Sequence, residues 1–223
     1  MSAPIAIIFD LDGTLVDTAP DLLASLNAVL VKAGHRAVVP SELRHLVGYG
    51  VRTLFERAFA ETGADVAPSL VDAYSADFLA YYRANIARES QLFPGVVETL
   101  EQLAAGGAGL GICTNKPHDL TELLLAELDL GRHFGAVVGA GLTPHSKPDA
   151  RHIFEVIERL KGSRERAIMI GDSPVDVAAA HAAKIPVIAM SFGYTPIPVR
   201  ELGADAVADA FSELPALISR LVR

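Results

Sequence analysis

Residues Ile5 to Asp17 read IAIIFDLDGTLVD, an apolar run that stops on two carboxylates at alternate positions. The run Ile5–Phe9 contains β-branched residues and predicts a buried strand of a parallel sheet. Asp10 and Asp12 follow it, and Gly13 comes next. Neighbouring carboxylates repel each other, and burying them costs several kcal/mol unless a cation or a proton offsets the charge. The stretch therefore indicates either a ligand site at the carboxyl end of a strand or an Asp-Gly turn.

The composition limits the kinds of protein that this chain can be. Of its 223 residues 51% are hydrophobic and 21% charged, with a net charge of −8, so a large core is available and a basic nucleic-acid-binding face is not. The single cysteine, Cys113, cannot form an internal disulfide, which favours a reducing compartment. No apolar run reaches the ~18 residues of a membrane span, and the first residues lack a leader pattern. We therefore expect a cytoplasmic monomer or homodimer with no nucleic-acid or membrane partner.

Two patterns divide the chain after Asp17. Helical periodicity without a convincing strand continues to about Arg88, with helices predicted over 18–33, 41–47, 51–62 and 69–86. From Phe93 onward, predicted strands and helices alternate, which is typical of right-handed crossovers in a parallel sheet. We therefore predict the α/β class, with a doubly wound, Rossmann-like parallel sheet and a helical block inserted after the first strand. The linkers are expected at 16–18 and 88–94.

Polar residues follow the predicted strands at the points where the strands end. These residues are Asp10 and Asp12; Thr114, Asn115 and Lys116; Lys147; and Asp172, Ser173 and Asp176. Because the carboxyl ends of parallel strands share one edge of a sheet, we expect the groups to converge. Each group also has a simpler explanation: a solvated lysine for Lys147, a capping box for Ser173 and Asp176, and a loop for Thr114. Their joint placement favours one shared site.

The chemistry of this set is that of phosphoryl transfer. Carboxylates in excess of cations suit a hard divalent ion such as Mg²⁺, which typically takes one or two carboxylates together with substrate phosphate oxygens. A carboxylate nucleophile, a lysine and a hydroxyl supply the remaining parts. The sequence contains no Gly-x-x-x-x-Gly-Lys loop of the nucleotide-binding type. The expected ligand is a small phosphorylated metabolite.

With these motifs the chain resembles the phosphatases of the haloacid dehalogenase superfamily, and most of all their phosphoglycolate phosphatase-like branch. The resemblance spans essentially the whole chain and implies a catalytic core of residues 1–16 and 89–223 with a helical cap domain of residues 17–88. It implies that Asp10 is the nucleophile that forms an aspartyl-phosphate. It also implies that Asp12 protonates the leaving oxygen and then activates water. Thr114 and Lys147 would hold the phosphoryl oxygens, the lysine also damping repulsion.

The resemblance further implies a Mg²⁺ site. Its ligands would be Asp10, the backbone carbonyl of Asp12, Asp172, and Asp176 either directly or through water. Thr14 and Asn115 are further candidates for contact with the substrate. The chain departs from the family pattern at Ala150, where a second proline often follows the Lys-Pro pair. We expect that departure to affect only the start of the following helix.

A glycine-rich loop in the helical block is expected to choose the substrate. Gly48 and Gly50 allow close backbone approach to a ligand. Arg52 could pair bidentately with a substrate carboxylate, and His45 or Tyr49 could hydrogen-bond to it. The alternative is an ordinary turn between helices with a surface arginine.

The function predicted from the sequence is Mg²⁺-dependent hydrolysis of a phosphomonoester, with 2-phosphoglycolate as the first substrate. Pyrophosphate, a nucleoside monophosphate, a sugar phosphate, a β-phosphoglucomutase-like isomerase and a non-catalytic phospho-ligand-binding module remain alternatives. Asp12 argues against a dehalogenase and against a simple binder, since neither needs an acid there. Cys113 is not a cysteine-phosphatase nucleophile, because Asp119 stands where that chemistry requires an arginine.

Overall fold

The computed structural model describes residues 4–43, 46–62, 66–195 and 197–222, and within them a central parallel sheet of six strands. The strands are β1 Ala6–Phe9, β2 Val16–Asp17, β3 Gln91–Leu92, β4 Gly109–Pro117, β5 Ala136–Ala140, β6 Ala167–Gly171, β7 Val187–Met190 and β8 Ala206–Ala208. The order in the central sheet is β5-β4-β1-β6-β7-β8, while β2 and β3 form a separate pair.

Nine α-helices accompany these strands in the described parts of the chain. They are α1 Ala19–Lys32, α2 Pro40–Leu43, α3 Val51–Thr62, α4 Pro68–Ala84, α5 Val96–Ala105, α6 His118–Glu127, α7 Ala150–Arg159, α8 Pro174–Ala183 and α9 Leu214–Leu221. From β3 to β7 strands and α-helices alternate, so the predicted doubly wound, Rossmann-like α/β fold is confirmed.

Strand β1 lies in the middle of the sheet and pairs with a strand on each side. Phe9 is in register with Ile112 of β4 and with Ile170 of β6. Both faces of the strand are covered: Ile7 and Phe9 belong to one apolar cluster, and Ile8 belongs to another. A strand buried on both faces has no polar side, which explains its uninterrupted apolar sequence.

The larger apolar cluster continues from the sheet into the helical block. It joins Phe9 to Phe55, in α3, and to Phe78, in α4. The two helices pack through their aromatic rings, with the centroids of Phe55 and Phe78 lying 5.8 Å apart and their planes nearly perpendicular. Burial of this shared cluster therefore stabilises the helices against the sheet.

The helical block is entered and left through a two-stranded antiparallel ribbon. Val16 of β2 is in register with Leu92 of β3, and Asp17 with Gln91. The ribbon coincides with the two linkers expected from the sequence, but its strands are too short to produce an alternating pattern. The helix predicted over 41–47 is observed as Pro40–Leu43, with a turn from Leu46 and with residues 44 and 45 outside the described part.

The helix after Lys147 begins at Ala150. The side chain of Asp149 caps it by accepting a hydrogen bond of 2.9 Å from the backbone N–H of Arg151. Ala150 is the first residue of this helix, and the expectation that its departure from the family pattern affects only the helix start stays a prediction. Within the described ranges, no helix is both long enough and apolar enough to cross a membrane.

Candidate active site

Asp10 lies at the carboxyl end of β1, where the sheet pairing ends. Its backbone N–H donates to the carbonyl oxygen of Ile170 at 2.9 Å, which fixes the residue at the edge of the sheet. Gly13 then turns the chain with a φ of +85°, and a Cβ at that position would lie 2.5 Å from Oδ2 of Asp172. The glycine is therefore required for both the turn and the close approach of the two strand ends.

Lys147 reaches the same point from the loop before α7. Its Nζ lies 2.8 Å from Oδ1 of Asp10 and 2.6 Å from Oδ1 of Asp176, and only 2% of its side chain is exposed. Burial alone would lower the pKa of this lysine, but the two carboxylates outweigh it and raise the pKa above the usual range. The lysine therefore stays charged and offsets part of the negative charge around Asp10.

Three carboxylates form a cluster beside this lysine. Asp10, Asp172 and Asp176 each place an oxygen within 4.8 Å of the others, and all three are buried. Burial raises the pKa of Asp10 to about 7 against the opposing effect of Lys147, and burial with the charge of Asp176 raises the pKa of Asp172 well above its ordinary value. The cluster thus carries more negative charge than its protein neighbours neutralise.

Local hydrogen bonds hold Asp172 in position. Its Oδ1 accepts from the hydroxyl of Thr14 at 2.7 Å, and its Oδ2 accepts from the backbone N–H of Tyr194 at 2.7 Å. Thr14 is thereby placed against an acidic residue of the cluster. Its predicted contact with the substrate stays a prediction.

Asp176 combines a capping role with a place in the cluster. Its Oδ2 accepts from the backbone N–H of Ser173 at 3.0 Å and from the Ser173 hydroxyl at 2.6 Å, which completes a capping box at the start of α8. Its Oδ1 contacts Lys147. Both of the explanations that the sequence allowed for this residue are therefore present at once.

Asp12 faces a different cation from the one that contacts Asp10. The Nζ of Lys116 lies 3.0 Å from Oδ1 and 3.3 Å from Oδ2 of Asp12, and it donates to the hydroxyl of Tyr82 at 2.7 Å. The carboxylate of Asp12 is not a member of the three-residue cluster. A role for Asp12 in metal binding would therefore fall to its backbone carbonyl, as the sequence predicted.

The end of β4 brings Thr114 and Asn115 to the site. The hydroxyl of Thr114 accepts from the backbone N–H of Lys116 at 3.2 Å. The side-chain amide of Asn115 donates to the carbonyl oxygens of Lys147 at 2.9 Å and of Gly48 at 3.2 Å. Asn115 therefore links the lysine loop to the glycine-rich loop of the helical block.

A cavity separates these strand ends from the helical block. Its polar wall is formed by the strand ends and includes Asp10, Asp12, Thr114, Asn115 and Lys116. Its opposite wall is mainly apolar and includes Leu46, Val51, Leu54 and Phe78, with the hydroxyl-bearing Tyr82 among them. The cavity thus presents charged groups on one side and mainly apolar side chains on the other.

The residues expected to select the substrate are only partly at this cavity. Gly48 lines it, but Tyr49 and Arg52 are not among the lining residues. The guanidinium of Arg57 lies over the Tyr49 ring, 3.6 Å from its centroid. Arg52 is half exposed and pairs with Glu56 and Asp72. His45 lies outside the described residues.

Arg52 lies on the surface, where it pairs with two acidic neighbours. Its Nε lies 3.0 Å from a carboxylate oxygen of Glu56, four residues further along α3, and its guanidinium also contacts Asp72 of α4. Both acids lie on the outer side of the helices and are about half exposed or more. The structure thus does not bring Arg52 together with the polar strand ends.

Two side chains of the cavity, Lys116 and Tyr82, were given no role from the sequence. Side chains alternate along a strand, so Lys116 shares the side of Thr114, and this signal was present in the sequence. Tyr82 lies four residues after Phe78 and so shares its helix face. The contact of Tyr194 with Asp172 joins two loops and had no local signal.

Cys113 is a core residue, and its environment agrees with the prediction that it is not a nucleophile. It is fully buried in β4, and burial raises the pKa of its thiol to about 12. A thiol with such a pKa stays protonated at neutral pH and is a poor nucleophile.

Comparison with known proteins places this chain in a family. Residues 7–190 match the family model described as haloacid dehalogenase-like hydrolase. The chain is 45% identical over 221 residues to the phosphoglycolate phosphatase of Agrobacterium fabrum, covering 99% of this chain and 94% of the relative. It is 46% identical to that of Caulobacter vibrioides, covering 94% and 88%. A crystal structure described as a predicted phosphoglycolate phosphatase from Haemophilus somnus superposes with a TM-score of 0.90 at 28% identity, covering 97% and 99%.

Proposed function

Because this chain belongs to the haloacid dehalogenase-like hydrolase family and is a phosphatase, we propose that it hydrolyses 2-phosphoglycolate through an aspartyl-phosphate on Asp10, with Mg²⁺ as cofactor. The observation that carries the proposal is the contact of Asp10 with Lys147 inside the cluster of carboxylates. The names of the relatives support the choice of substrate.

The residues at the sheet edge suit a hard divalent cation. Asp10, Asp172 and Asp176 offer carboxylate oxygens within 4.8 Å of one another, which is the donor type that Mg²⁺ prefers. Oδ1 of Asp10 is buried, and its charged neighbour is Nζ of Lys147 at 2.8 Å, which lacks the alignment of a hydrogen bond. These three residues and the backbone carbonyl of Asp12 would hold the ion, Asp176 directly or through water. When bound, Mg²⁺ supplies positive charge that orients the phosphate and stabilises its transition state.

Different side chains carry out different parts of the reaction. The carboxylate of Asp10 attacks phosphorus, and the ester oxygen leaves with its bonding electron pair while Asp12 gives it a proton. Lys147 and the Thr114 hydroxyl hold the phosphoryl oxygens during this step. Asp12, now ionised, takes a proton from a water molecule that attacks the aspartyl-phosphate. The products are glycolate and inorganic phosphate, and Asp10 is regenerated.

We propose that the substrate binds without long-range electrostatic attraction to the protein. The net charge of −8 repels anions, so capture of the phosphate rests on buried cations such as Lys147. We also propose that the protein is cytoplasmic, a monomer or homodimer, and without nucleic-acid partners. The single cysteine and the acidic composition support this.

The experiment that tests this function is phosphate release from a panel of substrates with Mg²⁺ and with EDTA. The panel holds 2-phosphoglycolate, pyrophosphate, β-glucose 1-phosphate, a nucleoside monophosphate and p-nitrophenyl phosphate. We expect the highest kcat/KM for 2-phosphoglycolate and loss of turnover with EDTA.

Two variants with the same chemical change serve as the blank and its control. Asp10→Asn is expected to abolish turnover. Asp77→Asn is expected to keep it, since Asp77 only pairs with exposed Lys32. A different preferred substrate would overturn the choice of substrate, turnover in Asp10→Asn would overturn the nucleophile, and no turnover on the panel would favour a binding module.

A further inference from the structure

A buried ammonium group other than that of Lys147 lies at the wall of the cavity. Lys116 lines the cavity, and only 3% of its side chain is exposed. Among the described lining residues it is the one with a permanent positive charge. The opposite wall is apolar, so any anion that enters the cavity must find its charge partner on the polar wall.

We propose that Lys116 and Tyr82 bind the carboxylate of the substrate and so distinguish 2-phosphoglycolate from phosphate esters without a second anionic group. This inference rests on the proposed function, because it assigns part of the same substrate to particular residues. Lys116 thus takes the role that the sequence suggested for Arg52, whose guanidinium pairs with Glu56 and Asp72 on the outer surface.

Lys116 lies directly beside Asp12. The lysine Nζ lies 3.0 Å from the carboxylate that is proposed to protonate the leaving oxygen. In 2-phosphoglycolate, the carbon that bears this oxygen also bears the carboxylate. An ester oxygen delivered to Asp12 therefore brings the carboxylate into the immediate neighbourhood of the Lys116 ammonium.

The hydroxyl of Tyr82 supplies a second contact from the other side. It accepts a hydrogen bond of 2.7 Å from Lys116, so its own hydrogen can be donated to an anion beside the ammonium. Tyr82 is 1% exposed, and its rigid ring is stacked on Phe78, with centroids 5.7 Å apart. A carboxylate bound here would be shared between β4 of the sheet and α4 of the helical block.

This site and the proposed phosphate site contain different lysines. Lys147 contacts Asp10 and Asp176, whereas Lys116 contacts Asp12 and Tyr82, so the two lysines serve different acids. Each anionic end of the substrate would thus meet its own buried cation. Such a buried ion pair costs much when one partner is removed, because the other charge is left without compensation.

The test compares two substrates that differ only at the second group. These are 2-phosphoglycolate and 2-hydroxyethyl phosphate, in which a neutral CH₂OH replaces the carboxylate. The measured quantity is the ratio of their kcat/KM values in Mg²⁺. We expect Lys116→Met, which keeps an unbranched side chain without the ammonium group, to lower this ratio by at least about thirtyfold, mainly through KM for 2-phosphoglycolate.

Three further variants make the result decisive. Lys116→Arg keeps the charge and is expected to recover most of the ratio. Tyr82→Phe removes only the hydroxyl and is expected to lower the ratio by about threefold to tenfold, which keeps the test valid if Lys116→Met fails to fold. Arg52→Met tests the competing cation and is expected to leave the ratio near that of the unaltered protein.

The outcomes separate this inference from the proposed function. An equal loss of kcat/KM for both substrates in Lys116→Met would mean that the lysine acts only on Asp12. That result would overturn the inference. A lowered ratio in Arg52→Met with none in Lys116→Met would also overturn it. If the unaltered protein does not hydrolyse 2-phosphoglycolate at all, the proposed function itself fails, which is read from the first panel before any variant is made.

Discussion

The carboxylate of Asp21 accepts hydrogen bonds from both the backbone N–H and the hydroxyl of Ser90, at 2.8 and 2.6 Å. It also accepts from the backbone N–H of Glu89, and the aspartate is only 3% exposed. Asp21 lies in the first turn of α1, whereas Ser90 lies on the segment that returns the chain to the sheet. One buried side chain thus fastens the start of the helical block to its end.

We expect Asp21→Asn to lower the free energy of unfolding by about 2 kcal/mol or more. Asparagine has a single acceptor oxygen, and its NH₂ group would face donors that the second carboxylate oxygen now satisfies. The measurement is urea unfolding at neutral pH. Asp77→Asn is the matched control and should change the free energy by no more than about 0.5 kcal/mol, because its pair with Lys32 is exposed. Equal effects of the two changes would contradict this role of Asp21.

We expect Asp172→Asn to stabilise the metal-free protein by about 1 kcal/mol or more and to abolish its stabilisation by Mg²⁺. The change removes one of three mutually repelling carboxylates. The asparagine oxygen can still accept from the Tyr194 N–H, and its NH₂ group can donate to the Thr14 hydroxyl. The measurement is Tm with EDTA and with Mg²⁺.

The unaltered protein should gain stability as Mg²⁺ is added, by about 2.7 kcal/mol at one hundred times Kd. Asp149→Asn, at an exposed helix cap, is the control that should retain this gain. A full Mg²⁺ response in Asp172→Asn would exclude the residue from the metal site.

We expect Asp12→Asn to lower kcat for 2-phosphoglycolate by about a hundredfold or more, and for p-nitrophenyl phosphate by much less. An alkoxide needs a proton when it leaves, whereas p-nitrophenolate is stable without one. The measurement is the first turnover of each substrate in rapid mixing, because the second step also uses Asp12. If both substrates slow by the same factor in that first turnover, Asp12 does not protonate the leaving oxygen.

We expect His152 to lower the free energy of unfolding as the pH is lowered. Burial, aided by the charge of Lys147, lowers the pKa of His152 to about 4, against about 6.5 in an unfolded chain. At this residue the unfolded state binds more protons between these values, so the contribution of His152 to the free energy of unfolding falls by up to about 3 kcal/mol as pH drops from about 6.5 to 4. The raised pKa of Asp10 acts in the opposite direction, so the contribution of His152 is read as a difference between variants. The measurement is urea unfolding at several pH values.

The matched variant for that series is His152→Leu, which removes the titrating group from the interior. It should flatten the part of the pH dependence between 4 and 6.5 that His152 contributes. His181, in α8, offers a control substitution by leucine that leaves His152 in place. A curve for His152→Leu parallel to that of the unaltered protein would show that the loss of stability comes from other groups.

Much of the fold could be predicted because its signals are local. The apolar run before Asp10 is typical of a strand covered on both faces, and the alternation after Phe93 indicates a parallel sheet. The strand ends then converge by topology alone, which brings Asp10, Lys147 and Asp172 together without any knowledge of their contacts. These features are independent of how the helical block lies over the sheet.

The side chains around the substrate could not be predicted in the same way. Whether Arg52 faces the cavity depends on the rotation of α3, and whether Tyr82 faces it depends on the placement of α4. Both result from packing of rings such as Phe55 and Phe78. Acidic neighbours of Arg52 on two helices also offered it a partner away from the cavity. The roles of the residues in catalysis and metal binding stay predictions until the variants are measured.

The ribbon of β2 and β3 has a consequence for how such proteins diversify. Because Val16 and Leu92 are already side by side, whatever chain runs between them begins and ends at one point. The entropy of closing a loop grows only slowly with its length, so this intervening chain can be shortened, extended or exchanged at little cost to the sheet. Evolution can therefore vary the choice of substrate while it inherits the chemistry of the strand ends unchanged.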